Sequence, residues 1–221
     1  MIIDWAGETL ELLPERALLW LARATLVLAD PHFGKSAAFR AGGSPVPPGT
    51  TAQDLARLDA LVRARAPHRL VILGDFFHAR AGRADGTLAQ IADWRARNPE
   101  LAIDLVAGNH DRRAGEPPSA WRIRVHEYPL ADGPFLFCHE PPDRVPPRQH
   151  ALAGHVHPAF SIEDRTGRLR APCFLFGPRR ALLPAFGGFT GTKSVRAEPV
   201  ERVYVVGEDE VIPVGQPVPG A

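Results

Sequence analysis

The sequence predicts an α/β layered sandwich, with helices outside and two sheets at its centre, and three observations carry that reading. Short apolar runs bounded by turn residues alternate with helix-period stretches over the first half of the chain. Beyond residue 120 the pattern becomes β-rich. No repeat or linker divides the 221 residues, a length that suits one domain with a sizeable core and would cramp two.

The elements follow in order. Residues 25–29, Thr-Leu-Val-Leu-Ala, read as a buried strand, as do 70–73 and 101–106. Between the first two, the spacing predicts a helix over 51–65 with Leu55, Leu58, Leu61 and Val62 on one face. Thr51 is its expected N-cap, with Asp54 three residues on as in a capping box. A second helix is expected over 87–97, carrying Leu88, Ile91, Trp94 and Arg95 at helical spacing. Strands are then expected over 122–126, 135–138, 151–154, 170–176 and 203–206. Proline-rich loops interrupt at 44–49, 116–119 and 140–147, and a tail over 211–221 reads as loosely ordered. The whole is expected to be one domain, 1–221.

Composition is that of an ordinary soluble protein: 45% hydrophobic, 23% charged, net charge +1. Such a balance does not announce a nucleic-acid binder. Lys35 and Lys193 are the only lysines; the arginine excess suits bidentate phosphate contacts but fits codon bias as well. No signal peptide is visible at the N-terminus, and no apolar run approaches the ~20 residues of a membrane span. Two cysteines, Cys138 and Cys173, make no disulfide framework and suit a reducing compartment. A cytoplasmic location, away from the membrane, is expected.

Five strand-like runs end in metal-capable side chains. In Asp30-Pro31-His32 the two outer residues share one face at strand spacing, yet by itself this is as easily a turn. In Gly74-Asp75-Phe76-Phe77-His78, glycine lets the chain turn tightly and present Asp75. Gly108-Asn109-His110-Asp111 sets an amide oxygen beside a titratable imidazole. Phe135-Leu136-Phe137-Cys138-His139 ends an apolar strand in an imidazole, with the Cys138 thiol facing away as a structural group. Gly154-His155-Val156-His157 offers two imidazoles on one face. Each run alone has a bland reading as a turn, a cap or a buried histidine. All five together are hard to dismiss.

That series resembles the calcineurin-like metallophosphoesterase superfamily. Within it, the closer resemblance is to the bacterial ligase-associated DNA-damage-response endonuclease group. It rests on Ala29-Asp30-Pro31-His32-Phe33-Gly34-Lys35, on Gly74-Asp75-Phe76-Phe77-His78, and on the late stretches at 174–180 and 186–189, and runs from about residue 8 to 207. It implies a four-layer metallophosphoesterase sandwich, two mixed β-sheets flanked by helices. It also implies two divalent metal ions: one held by Asp30, His32, Asp75 and His157, the other by Asp75, Asn109, His139 and His155. Manganese is the implied metal; a ligand set of nitrogen and oxygen without thiolate also suits Fe or Zn²⁺. A metal-bridging hydroxide would attack phosphorus in line.

His110, left over from the ligand set, is assigned to the leaving oxygen as proton donor or hydrogen-bond donor. Asp111 either holds its tautomer or serves the turn. His78 stands where the superfamily usually has an acidic residue or asparagine; it either orients a ligand or packs in the loop. Contacts to substrate phosphate are looked for at Lys35, Arg40 and Arg112, and also at Arg113, Arg179 and Arg180, each otherwise a solvated charge. Phe33 and Phe39 either stack bases or pack in the core. His68, His126 and His150 read as structural or surface residues.

The leading expectation is a manganese-dependent phosphodiesterase nicking single-stranded or unpaired DNA in repair, in functional association with DNA ligase and helicase. The alternative is a phosphomonoesterase or small-molecule phosphodiesterase using the same metal pair. A non-catalytic scaffold would show degenerate ligand positions, and here they are intact.

Overall fold

The structure is a computed structural model that describes residues 1–164 and 167–214. Its first sheet opens with β1 (Ile2–Trp5), β2 (Glu8–Leu13), β3 (Ala17–Trp20) and β4 (Thr25–Ala29) as an antiparallel meander. It continues through β5 (Arg69–Leu73), β6 (Ala102–Val106) and β7 (Ile123–His126), all parallel to β4. Parallel neighbours need crossover connections. These are supplied by α1 (Lys35–Ala41) and α2 (Thr50–Arg65) after β4, by α3 (Asp85–Arg97) after β5, and by α4 (Asn109–Ala114) after β6.

The second sheet holds β8 (Leu130–Asp132), β9 (Phe135–Cys138), β10 (His150–Ala153), β11 (Pro158–Asp164), β12 (Gly167–Phe176), β13 (Arg180–Leu182) and β14 (Lys193–Ser194), with β15 (Arg202–Val206) and β16 (Val211–Val214). Its order is β14-β11-β12-β13-β10-β9-β8, and β15 joins β12 while pairing β16. β10 lies parallel to β9 and β13, whereas β12 runs antiparallel to β11, β13 and β15. Both sheets are therefore mixed, and with their helices they form the α/β sandwich expected.

The alternation of the buried strands divides the core in two. Leu26, Leu28, Leu70 and Ile72 meet Leu55, Leu58 and Leu61 of α2 and Ile91 and Trp94 of α3. Their neighbours Val27, Ala29, Val71 and Leu73 point the other way, onto Phe135, Phe137, Leu152, Phe174 and Phe176 of the second sheet. Each such side chain contributes roughly 1.5–3 kcal/mol by leaving water. The thiols of Cys138 and Cys173 are buried and free, and burial pushes both up to about 12, the structural role expected for Cys138.

Two expectations are corrected. Thr51 does not cap α2: Gly49 occupies the N-cap without a side-chain bond. Thr51 Oγ1 instead accepts the Gly34 N–H at 3.0 Å, and Asp54 accepts the Gly188 N–H at 2.9 Å. The loose tail begins later than expected, because Val211–Val214 pairs with β15 from Val203 to Val206; residues 215–221 lie outside the described residues. The meander of β1 to β3, α1, β11, β13 and β14 were not anticipated. Among the described residues no helix is long and apolar enough to cross a membrane.

Candidate metal centre

The five runs end at one rim, where the carboxyl ends of β4, β5, β6, β9 and β10 deliver Asp30, Asp75, Asn109, His139 and His155. Beyond the strand ends the first two loops stay zipped together. The His32 N–H donates to the Asp75 carbonyl at 2.9 Å, the Phe33 N–H to the Phe76 carbonyl at 2.8 Å, and the His78 N–H returns to the Phe33 carbonyl at 3.1 Å. This ladder, not the side-chain alternation of a strand, brings Asp30 and His32 together.

Backbone conformation marks the same residues. Asp30, His32, Asp75, His155 and His157 all have positive φ, between 46° and 64°. A non-glycine residue there costs about 1–3 kcal/mol and persists where surrounding structure enforces it, commonly at functional sites. His155 and His157 thus stand on a turn after β10 and serve two different clusters, contrary to the single strand face expected.

In the first cluster, Asp30, His32 and His157 bring their ligand atoms within 4.8 Å of one another. His157 Nε2 is 3.4 Å from His32 Nε2 and 3.5 Å from Asp30 Oδ1. In the second, Asp75, His139 and His155 do the same. His139 Nε2 lies 3.4 Å from Asp75 Oδ1, 3.1 Å from His155 Nδ1 and 3.0 Å from Asn109 Oδ1. Asp75 joins the two, since its Oδ2 is 3.7 Å from His32 Nε2.

Outer partners fix the rings. His139 Nδ1 donates to the Leu73 carbonyl at 3.0 Å and His157 Nδ1 to the Gly191 carbonyl at 3.1 Å, so each Nε2 is turned inward. Histidines that bind metals are commonly oriented this way. The segment leading to Gly191 is held upstream: Arg57 stacks on the Phe186 ring and donates to the Phe186 carbonyl, while Asp54 accepts the Gly188 N–H.

Two glycines make room for the centre. A Cβ on Gly74 would lie 2.2 Å from the His139 ring, and one on Gly108 would lie 2.2 Å from Asp75 Oδ1. Gly74 also has φ +78°, which glycine adopts without penalty.

The donor set fits divalent cations. Asp30 and Asp75 are 0% and 2% exposed, and buried carboxylates need a compensating charge. Asp30 Oδ1 has no hydrogen-bond partner. Nor can His32 supply the charge. Burial and then the charge of His157 push its pKa down to about 2, so the ring is a neutral lone-pair donor. Burial alone lowers His157, but the Asp30 carboxylate and the Gly191 carbonyl lift it above the usual histidine value. Burial raises Asp75, offset in part by His139.

His110 stands beside the clusters. Its Nδ1 makes a short contact with the His78 carbonyl, which leaves Nε2 facing Asp75 Oδ2 at 3.9 Å. His32, His78 and His110 themselves form a third group of neighbouring nitrogens. Asp111 does not hold the His110 tautomer. Its carboxylate accepts the N–H groups of Gly108 at 2.9 Å and Phe77 at 3.3 Å, so it closes the first turn of α4. Burial lifts it to about 6.

The expected substrate contacts divide. Lys35 stands at the start of α1, half-buried, its Nζ 6.0 Å from the centre of the Phe189 ring. Arg112 is exposed and lines a cavity of about 200 Å³ with His139 and Glu140, and Arg113 is exposed beside it. Arg40 reaches the carbonyls of Val46 and Pro47 at 3.4 Å. Arg179 binds the carbonyls of Val145, Pro146 and Gln149, and Arg180 that of Pro142. These last three pin proline-rich loops. Phe33 belongs to the core, whereas Phe39 is exposed near His78. His126 binds Asp104 at 2.7 Å and His150 packs on Trp5, both structural as expected. Phe189 and the Gly191 carbonyl were not singled out as site residues; an aromatic between two glycines and a threonine was the available signal.

No protein-family model and no curated protein matches the chain. Among solved structures, the nuclease MPE of Pseudomonas putida superposes with a TM-score of 0.84 at 42% identity, over 97% of this chain and 99% of that one. A protein of unknown function from Aquifex aeolicus, AQ665, aligns over 65% of this chain and 81% of its own at 21% identity and a TM-score of 0.41, too distant to carry any argument.

Proposed function

The chain belongs to the MPE group of the metallophosphoesterase superfamily, and from that premise we propose that it is a manganese-dependent endonuclease cutting single-stranded or unpaired DNA in repair. Membership and the Asp/His clusters support the coarser statement directly: this is a metal-dependent hydrolase of phosphoester bonds. In the finer reading Asp30, His32, Asp75 and His157 hold one divalent ion, and Asp75, Asn109, His139 and His155 the other. When bound, such a pair lowers the pKa of water and neutralises charge on the phosphoryl oxygens.

The chain's own groups do the rest. Neutral His32 and the carbonyl-tethered rings of His139 and His157 keep their lone pairs aimed inward. His110, its Nδ1 committed to the His78 carbonyl, can give a proton to the leaving oxygen from Nε2 only as the imidazolium, in which both ring nitrogens carry hydrogen. Lys35 at the start of α1 and Arg112 beside His139 are the cations offered to phosphates of the strand.

One observation carries the two-ion reading on which the proposal stands: Asp75 lies between the clusters, with Oδ1 at 3.4 Å from His139 and Oδ2 at 3.7 Å from His32. The test is incubation with Mn²⁺ and circular single-stranded DNA. Nicked, then linear, products are expected. Intact circles, or turnover confined to a phosphomonoester or a small diester, would overturn it.

A further inference from the structure

Beyond His110, a succession of ring contacts continues through residues that the reaction does not use. His110 and His78 are stacked at 5.0 Å and 24°, Phe39 is 5.9 Å beyond His78, and Phe189 meets Phe39 edge to face at 5.8 Å. Phe39 and Phe189 are 39% and 38% exposed and touch each other, so they form a contiguous aromatic patch, whereas a single exposed ring would need no explanation. They line a cavity of about 320 Å³ with Lys35, Gly188, Thr190 and Gly191. The segment carrying Phe189 is held by Asp54 and Arg57, so the cleft is preformed.

We propose that the Phe39–Phe189 corner is a nucleobase subsite, which stacks the base on the leaving-group side of the scissile phosphate while Lys35 contacts the neighbouring phosphate. This rests on the nuclease reading above and assigns a substrate feature to that same site. The side follows from continuity: the cleft lies beyond His78 and His110, and His110 serves the leaving oxygen. The class of ligand follows from its lining, which combines aromatic faces for any base with one cation for the backbone. Lys35 and Thr190 are the only polar side chains among the described lining residues, which points to stacking with little sequence readout.

The test uses a short end-labelled oligodeoxyadenylate carrying one abasic tetrahydrofuran residue, incubated with Mn²⁺, with cuts mapped bond by bond. In the wild type, cleavage at one of the two phosphates flanking the abasic residue is expected to fall on the order of tenfold to a hundredfold, the usual worth of one stacked base. In Phe39→Ala/Phe189→Ala the cut pattern evens out, while Phe39→Trp keeps the depletion. Metal content and Tm are measured on each variant, so that a collapsed site is not mistaken for a lost subsite. A wild type that cuts both flanking phosphates normally, or a depletion that survives the double substitution, overturns the subsite and leaves the nuclease reading standing. A wild type that cuts no DNA overturns both.

Discussion

His110 addresses the Asp75 carboxylate twice: its backbone N–H donates to Oδ1 at 2.9 Å, and its ring Nε2 stands 3.9 Å from Oδ2. The proposed proton donor is thus tethered to the carboxylate that both clusters share. His110→Ala is expected to lower kcat on DNA by about 10²–10⁴-fold, the range of a positioned acid, with metal content unchanged. On a diester with a nitrophenolate leaving group, which needs little protonation, the loss should shrink. Steady-state kinetics on both substrates check this, and equal losses would contradict the assignment.

Asp75→Ala is expected to disrupt both ion sites, whereas His157→Ala chiefly weakens one. The reason is position, since Asp75 contacts His32 of one cluster and His139 of the other while His157 contacts only the first. Metal analysis of the purified variants reads this out. The same residual content in both would refute the asymmetry.

Gly74 and Gly7 share φ +78°, but only Gly74 has a neighbour that an added Cβ would strike. Gly7→Ala should therefore cost about 1–2 kcal/mol, the backbone penalty alone. Gly74→Ala should cost more and displace the His139 ring, with loss of metal binding. Thermal unfolding of the two variants separates strain from collision.

Acid sensitivity of the metal-free protein has a traceable part. Burial, followed by the charges of Lys35 and His110, pushes the His78 pKa down from 6.5 to about 4. Between those values the unfolded chain binds the proton and the folded one does not, so stability falls as pH drops through this window. His78→Asn should lessen the dependence of Tm on pH between about 4 and 6.5, leaving the share of His32, whose pKa is pushed lower still. An unchanged slope would show that His78 does not carry it.

The residues that gather at the rim were legible because their types and order mark them whatever the local backbone does. How the chain delivers those residues was not. The sequence reading gave Asp30 and His32 to a strand face, and likewise His155 and His157. Strand alternation is the simplest inference from residues two apart, but the chain spends left-handed turns at all four. The buried strands from β4 to β6 were plain from their continuous apolar runs. By contrast α1 buries only Ser36, so it offers no apolar stripe to read. The last described strand contains Pro213, which argues against a central strand; it is tolerated because β16 lies at an edge, with β15 as its one partner among the described residues. Arg40, Arg179 and Arg180 bind loop carbonyls, and sequence cannot distinguish an arginine reaching a carbonyl from one waiting for phosphate.

Anomalous diffraction at the manganese edge, from crystals soaked in MnCl₂, tests the central claim most directly. Two peaks roughly 3.5–4 Å apart are expected, one among Asp30, His32, Asp75 and His157, the other among Asp75, Asn109, His139 and His155. A single peak, or density only at the His32–His78–His110 group, would contradict it.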